Sequence, residues 1–184
     1  MIRSLTTIVA VVAIGGALSA CDGGPEPDLT CGSRPAQVLA AQSVPSAQYV
    51  PCITEITEPW VLMATDTDQD RTEIHLQWLA SESANQKALV TLAANCDNSE
   101  GSPITAAVPS DVDVTTNTKN KTVSTYYEFV GGCVEASVTR TAGHPIDGLT
   151  ARDFAIQLVP REELNDFVLE QTNDSVGLNP DGDQ

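Results

Sequence analysis

The feature that most constrains the fold of this chain is its set of five cysteines, of which the first directly follows an apolar N-terminal run. The other four, Cys31, Cys52, Cys96 and Cys133, are distributed through the chain that follows. An even number of cysteines in an exported chain predicts disulfides, and four cysteines allow three pairings. The chain is therefore expected to fold around two covalent crosslinks.

One of those pairings is favoured by what each of its two bonds would connect. Cys31–Cys52 would join an N-terminal helical segment to the extended stretch after it, and Cys96–Cys133 would join a strand end to a hairpin turn. Loop-closure entropy gives about 3.4 and about 3.9 kcal/mol for the two loops. A zinc site is not indicated, because the paired close spacings of zinc ligands, such as C-x-x-C, do not occur.

The N-terminus has the pattern of a bacterial lipoprotein signal peptide. A basic start at Arg3 precedes the apolar run Leu5–Ala17, which is shorter than the roughly 20 residues that cross a bilayer. The sequence Leu18-Ser19-Ala20-Cys21 then resembles the lipobox, in which the cysteine thiol receives a diacylglyceryl group before cleavage. We predict a signal peptide over 1–20 and lipidation of Cys21. The alternative is an ordinary signal peptide with an incidental cysteine.

The anchor predicts where the mature protein lies. Two or three acyl chains hold a protein stably on a bilayer, so we expect it on the outer face of the cell membrane. Residues 21–30 carry the lipid and a flexible tether that reaches about 30 Å when extended. Residues 31–172 are expected to form one disulfide-bonded domain, and 173–184 a disordered acidic tail.

The charge of the chain restricts its partners. There are 9 Lys and Arg residues against 25 Asp and Glu, a formal net charge of −16. Phosphate binding needs clustered basic side chains, and here they are scattered, so nucleic acid is excluded as a partner. The same charge would hold the domain away from an anionic membrane.

Hydrophobic periodicity predicts an α+β domain with mainly antiparallel strands. A short helix follows Ser33-Arg34-Pro35, and an extended stretch interrupted by prolines spans Tyr49–Pro59. About five strands are expected, with polar residues Asp66–Asp70 forming a turn between the first two. The five strands are Trp60–Ala64, Thr72–Trp78, Lys87–Ala94, Thr122–Val130 and Cys133–Arg140.

The segments between and after those strands are expected to be loop and helix. Asp97–Lys121 is polar and predicts a long loop with a short edge strand near Ile104–Val108. Thr150 and Asp153 resemble a capping box, which predicts a helix over Ala151–Leu158. Pro160 can begin a second helix over Arg161–Gln171.

The one local cluster of candidate metal ligands is Asp66, Asp68 and Asp70. Alternating carboxylates in a loop begin a calcium-binding pattern, because Ca²⁺ takes six to eight oxygens. The EF-hand pattern then requires Gly and Glu where this chain has Arg71 and Gln77. An acidic hairpin turn is the alternative interpretation.

No catalytic motif accompanies the two histidines, His75 and His144. His75 lies on the polar side of an alternating strand, and His144 precedes a proline in a turn. A Ser-His-Asp triad assembled only by the fold remains open, because such triads are defined by geometry. Tyr126 and Tyr127 are adjacent, so we expect them on opposite faces of their strand.

Several short motifs span most of the predicted domain: Cys31-Gly32, Arg34-Pro35-Ala36, Val50-Pro51-Cys52, Gly131-Gly132-Cys133-Val134 and Leu158-Val159-Pro160-Arg161. Together they resemble an uncharacterised family of actinobacterial exported, membrane-anchored proteins. The resemblance implies an exported, disulfide-bonded fold, and it assigns neither a reaction nor a ligand.

Together these features predict a non-enzymatic binding or scaffolding lipoprotein of the cell envelope. Its expected partners are the membrane, through the lipid, and an envelope protein. Two alternatives stay open: a module that binds Ca²⁺ or a small ligand, and an envelope hydrolase.

Overall fold

A computed structural model describes residues 29–56, 60–79, 86–98, 100–139, 154–174 and 176–178. The residues predicted to form a signal peptide, Cys21 and His144 lie outside these ranges. No helix within them is long and apolar enough to cross a membrane.

The described chain contains two helices and nine strands. In chain order these are α1 (Arg34–Ser43), β1 (Tyr49–Ile56), β2 (Trp60–Asp68), β3 (Arg71–Trp78), β4 (Lys87–Ala93), β5 (Ser102–Pro103), β6 (Asp113–Lys119), β7 (Thr122–Phe129), β8 (Gly132–Thr139), β9 (Phe154–Pro160) and α2 (Arg161–Thr172).

The strands form two antiparallel sheets. One has seven strands in the order β2-β3-β4-β8-β7-β6-β5, and the other pairs β1 with β9. The β7–β8 hairpin turns at Gly131, which has a φ of 75°. A Cβ at Gly131 would lie 1.7 Å from the backbone oxygen of Ser46, so only glycine fits this contact.

One face of the seven-stranded sheet, here called the inner face, carries the hydrophobic core. Leu76, Leu92 and Val134 point into it and are fully buried. The core continues into α1, the β1–β9 pair and Leu164 of α2. Clean alternation in β3, β4 and β8 therefore reflects one apolar face, as the sequence predicts.

Both disulfides have the pairing that the sequence favours. Cys31 is bonded to Cys52, with 4.9 Å between their Cα atoms, and joins the segment before α1 to β1. Cys96 is bonded to Cys133 at the start of β8, with 6.0 Å between Cα atoms.

The expectation of about five strands is too low, and the first reason is β1. Pro51 and Pro59 suggested an interrupted segment, yet Pro51 lies within β1, opposite Leu158 of β9. Ile53 N–H donates to Leu29 O on the side of β1 that faces away from β9. Pro51 has the same orientation two residues earlier, so its missing N–H costs no hydrogen bond to β9.

The predicted helix over Ala151–Leu158 is wrong for the residues that the structure describes, because Phe154 onward belongs to β9. Phe154, Ile156 and Leu158 recur every second residue, which is the period of a strand, and β9 pairs along the whole of β1. Thr150 and Asp153, which suggested the helix cap, lie outside the described ranges.

The long loop predicted over Asp97–Lys121 contains two further strands. β6 runs along β7, and the edge strand is Ser102–Pro103 instead of a segment near Ile104–Val108. β6 is rich in threonine, which is polar but β-branched, so its composition suits an exposed strand.

Three further observations concern the predicted helices, the tether and the C-terminal tail. The expected α1 and α2 are both present, and Arg34 of α1 forms an ion pair with Glu163 of α2. Leu29, expected in the tether, is fully buried. Leu178, expected in the tail, is buried beside α2, where its N–H donates to Asn165 Oδ1 at 2.8 Å.

Candidate functional site

The candidate site is the second face of the seven-stranded sheet, here called the outer face. In-register pairing aligns a row of side chains across it: His75 lies opposite Leu89, Leu89 opposite Ser137, and Ser137 opposite Ser124. Asn117 of β6 continues the row opposite Ser124. These side chains are mostly half-buried and polar, in contrast to the apolar inner face.

Part of the outer face is covered by the chain between β4 and β5. We call residues 94–98 and 100–101 the crossover segment. Cys96 bonds to Cys133 of β8, Asn98 donates to a Glu128 carboxylate oxygen on β7, and the segment leads to Ser102, which pairs with β6. The segment therefore passes over three neighbouring strands.

Beside the crossover segment lies a cavity of about 360 Å³, here called the polar cavity. Its lining includes Asp97 and Glu100 of the crossover segment, together with Asn117, Ser124, Tyr126 and Glu135. Ser124 and Tyr126 are only 7% and 6% exposed, although both point to the outer face. Ser124 Oγ donates to Glu135 Oε1 at 2.9 Å.

The electrostatics of the polar cavity keep its tyrosine protonated. Burial raises the pKa of Tyr126, and the carboxylates of Glu135 and Asp97 raise it further, whereas a hydrogen bond with Ser124 lowers it. A neutral phenol can both donate and accept a hydrogen bond. The cavity thus presents hydroxyls, amides and carboxylates, which suit a hydrogen-bonding ligand.

A second depression of about 360 Å³ lies over β2, β3, β4 and β8, and we call it the apolar groove. Its side-chain lining combines apolar Met63 and Leu89 with polar groups: His75, Lys87, Ser137 and Thr139. The β2–β3 register shifts between Leu62 and Ala64, which makes Met63 the extra residue of a bulge. Met63 is 56% exposed for that reason.

The three aspartates proposed as calcium ligands are held apart by the hairpin. Asp66 and Asp68 belong to β2 and lie opposite Glu73 and Arg71, so the turn is shorter than predicted. Asp70 occupies the turn, with a φ of 69°, and its N–H donates to Ser43 O. Within the described ranges, no group of three His, Cys, Asp or Glu residues is placed to hold a metal ion.

His75 faces carboxylates. Its Nε2 is 3.1 Å from Asp66 Oδ2 and 3.5 Å from Glu73 Oε2. Among the described residues, no hydrogen bond joins this imidazole to a serine or threonine hydroxyl. Within the part of the chain that the structure describes, His75 therefore has acidic partners, and no serine or threonine hydroxyl is hydrogen-bonded to Nε2 as a hydrolytic triad needs.

The sequence predicts some of this face and misses the rest. Tyr126 and Tyr127 point to opposite faces as expected, since Tyr126 lines the polar cavity and Tyr127 packs against the core. The sequence does not predict that Asp97 lines the same cavity as Ser124 and Glu135. The polar alternation of β7 and β8 is the one local signal for this site. The position of Asp97 depends on the path of the crossover segment.

No protein-family model matches this chain, and no curated protein or solved structure matches it either. Functional inference therefore depends on the geometry of the outer face.

Proposed function

We propose that this protein is an exported, lipid-anchored module that binds a partner in the cell envelope without catalysing a reaction, and that its binding surface is the outer face. The supporting observation is the asymmetry of the seven-stranded sheet. Helices and the two-stranded sheet cover one face, whereas the other holds two depressions with polar side chains directed into them.

Binding is favoured by the way the polar cavity is prepared. Ser124 and Tyr126 are buried at its base, and Ser124 is already fixed on Glu135. Side chains held in place before a ligand arrives lose little conformational entropy when it binds. Catalysis has less support, because the described partners of His75 Nε2 are carboxylates.

The anchor in this proposal comes from the sequence. The lipobox-like Leu18-Ser19-Ala20-Cys21 would place the domain on the outer face of the membrane, and the resemblance to exported, membrane-anchored proteins agrees with that position. A Cys21→Ser variant should release the domain or leave its precursor uncleaved, which fractionation and mass of the mature chain would measure. Membrane-bound protein of normal mature size would contradict lipidation.

The binding surface is tested by crosslinking in intact cells, followed by capture and quantitative mass spectrometry. Arginine is placed on the outer face in Asn117→Arg and Ser137→Arg. A matched variant, Gln171→Arg, places it on the exposed surface of α2. We expect one envelope protein to be captured with the wild type and Gln171→Arg and to be lost with both outer-face variants.

Two results would overturn this assignment of the surface. One is equal capture with all three variants, and the other is loss of capture with Gln171→Arg alone. The melting temperature of each variant, compared with that of the wild type, shows whether a lost partner reflects the changed surface or a loss of folding.

A further inference from the structure

We propose that the apolar groove binds a small organic anion with an apolar body, such as a monocarboxylate. Met63 and Leu89 would contact the body, and Lys87 would contact the anionic group. This inference rests on the proposed function, in which the outer face is the binding surface, and it assigns a ligand class to one part of that face.

The apolar contact surface is built from a bulge and a central strand. Met63 projects from the bulge in β2, while Leu89 stands in the middle of β4, opposite His75 on one side and Ser137 on the other. A volume of about 360 Å³ is at the small end of ligand pockets, which span roughly 300–1,000 Å³. The groove therefore suits a small molecule.

Lys87 gives one end of the groove a positive charge, although the chain as a whole is strongly acidic. Lys87 lies opposite Thr139 of β8 and forms no ion pair with any residue in the described ranges. By contrast, Arg34 and Arg71 are each paired with a glutamate. Lys87 thus offers an ammonium group that an incoming anion can use without breaking an ion pair with any residue that the structure describes.

The rest of the lining fixes the direction of the ligand. Thr139 and Gln77 lie opposite Lys87 on its two sides and place a hydroxyl and an amide at the lysine end. Beyond His75 at the other end lie the carboxylates of Asp66 and Glu73, which repel an anion. We therefore expect the anionic group at Lys87 and the apolar body over Leu89 and Met63.

Met63 can serve as a spectroscopic probe of this groove. It contains two methionines, Met1 and Met63, so labelling the full-length protein with ¹³C-methyl methionine gives a signal from the groove. A Met63→Leu variant assigns that signal. The titrants are straight-chain monocarboxylates of increasing length, with alcohols of the same length as neutral controls.

We expect carboxylates to shift the Met63 signal saturably and alcohols of equal length to bind more weakly. Lys87→Gln should weaken carboxylate binding about threefold, since exposed ion pairs contribute little, and should leave alcohol binding unchanged. Lys121→Gln, at an exposed lysine in the turn between β6 and β7, is the matched control and should bind like wild type.

Equal binding of alcohols and carboxylates, or an unchanged affinity in Lys87→Gln, would overturn the anionic assignment. The absence of a saturable shift with any titrant would overturn the groove as a ligand site. The proposed function fails separately, because it is judged by whether Asn117→Arg and Ser137→Arg abolish partner capture.

Discussion

The polar cavity and the apolar groove occupy the same face of one sheet and have similar volumes, yet they differ in chemistry and in the burial of the side chains that line them. Beneath the polar cavity, Ser124 and Tyr126 are almost completely buried. In the groove, Met63 remains more than half exposed. Both depressions use β8, so the strands alone do not explain the difference.

The difference comes from the crossover segment, which lies beside the polar cavity and is bonded to the sheet through Cys96–Cys133. A polar side chain on an open sheet face is normally solvated, and a covering segment turns such a surface into a cavity with fixed partners. On this protein, the path of a loop determines where polar groups become preorganised.

The largest expected effect comes from removing the bond that holds the crossover segment. Replacing Cys96 and Cys133 with serine should lower the free energy of unfolding by about 4 kcal/mol and increase the exposure of Tyr126, while the Met63 signal stays unchanged. Guanidinium unfolding and tyrosine titration measure the first two effects.

Replacing Cys31 and Cys52 with serine is the matched control for that experiment. It should destabilise the chain by about 3 kcal/mol without changing the environment of Tyr126, because this bond joins β1 to the segment before α1. A polar cavity that responds equally to both double variants would refute the role given to the crossover segment.

The second prediction compares the two faces of β4. Leu92 is fully buried on the inner face, and Leu92→Ala should cost about 3 kcal/mol through lost burial and a cavity. Leu89→Ala, on the half-buried outer face, should cost about 1 kcal/mol. Equal losses in urea unfolding would mean that the groove is part of the core.

The third prediction concerns alkaline pH. All three tyrosines have a pKa raised above the ordinary value near 10: Tyr49 chiefly by its hydrogen bond to Asp111, and Tyr126 and Tyr127 chiefly by burial. A raised pKa favours the neutral phenol in the folded state. The resulting stability is complete below pH 10 and is lost as the pH rises through the raised values.

Absorbance of tyrosinate near neutral and alkaline pH measures this effect in the folded and the denatured chain. The folded midpoint should lie above the denatured one for every tyrosine. A folded-state tyrosine that titrates at its ordinary pKa would contradict the environment described for it.

A smaller effect separates two serines in the same row of the outer face. Ser124→Ala removes the 2.9 Å hydrogen bond to Glu135 and should cost about 1 kcal/mol. Ser137 donates only a long hydrogen bond of 3.4 Å to Leu89 O. Ser137→Ala should therefore change the free energy of unfolding by only a few tenths of a kcal/mol. Indistinguishable denaturant midpoints would show that the polar cavity is no better ordered than the groove.

The smallest expected effect is that of calcium. Because Asp66, Asp68 and Asp70 do not converge, millimolar Ca²⁺ should leave the melting temperature of the wild type unchanged. A rise that Asp68→Ala removes would establish a calcium site on this hairpin.

The sequence predicts elements whose period is set by one apolar face. β3 and β8 alternate because each has one side on the apolar inner face, and Gly131 marks the β7–β8 hairpin. The extended stretch from Tyr49 is predicted, but its pairing with β9 is not, because that pairing joins residues about a hundred positions apart along the chain. Local signals at Pro51 and Asp153 favoured an interrupted segment and a helix. Long-range pairing overrode local preference there.

The candidate site was predictable only in part for the same reason. Alternation places Ser124, Tyr126 and Glu135 on a polar face, and the favoured disulfide brings Cys96 to β8. No local pattern, however, gives the route by which Asp97 and Glu100 reach Tyr126, since that route depends on β6 lying beyond β7.

The bulge at Met63 has a second consequence, for copies of this chain at high local concentration. β2 and β5 are the outermost strands of the seven-stranded sheet as described, and unpaired strand edges invite copies to join into fibres. The bulge interrupts the hydrogen-bonding ladder of β2. The C-terminal end of β2 carries two charged side chains, Asp66 and Asp68. At the opposite edge, β5 has two residues, one of them Pro103. The bulge that exposes Met63 therefore also makes the edge of β2 a poorer template for pairing with a second copy.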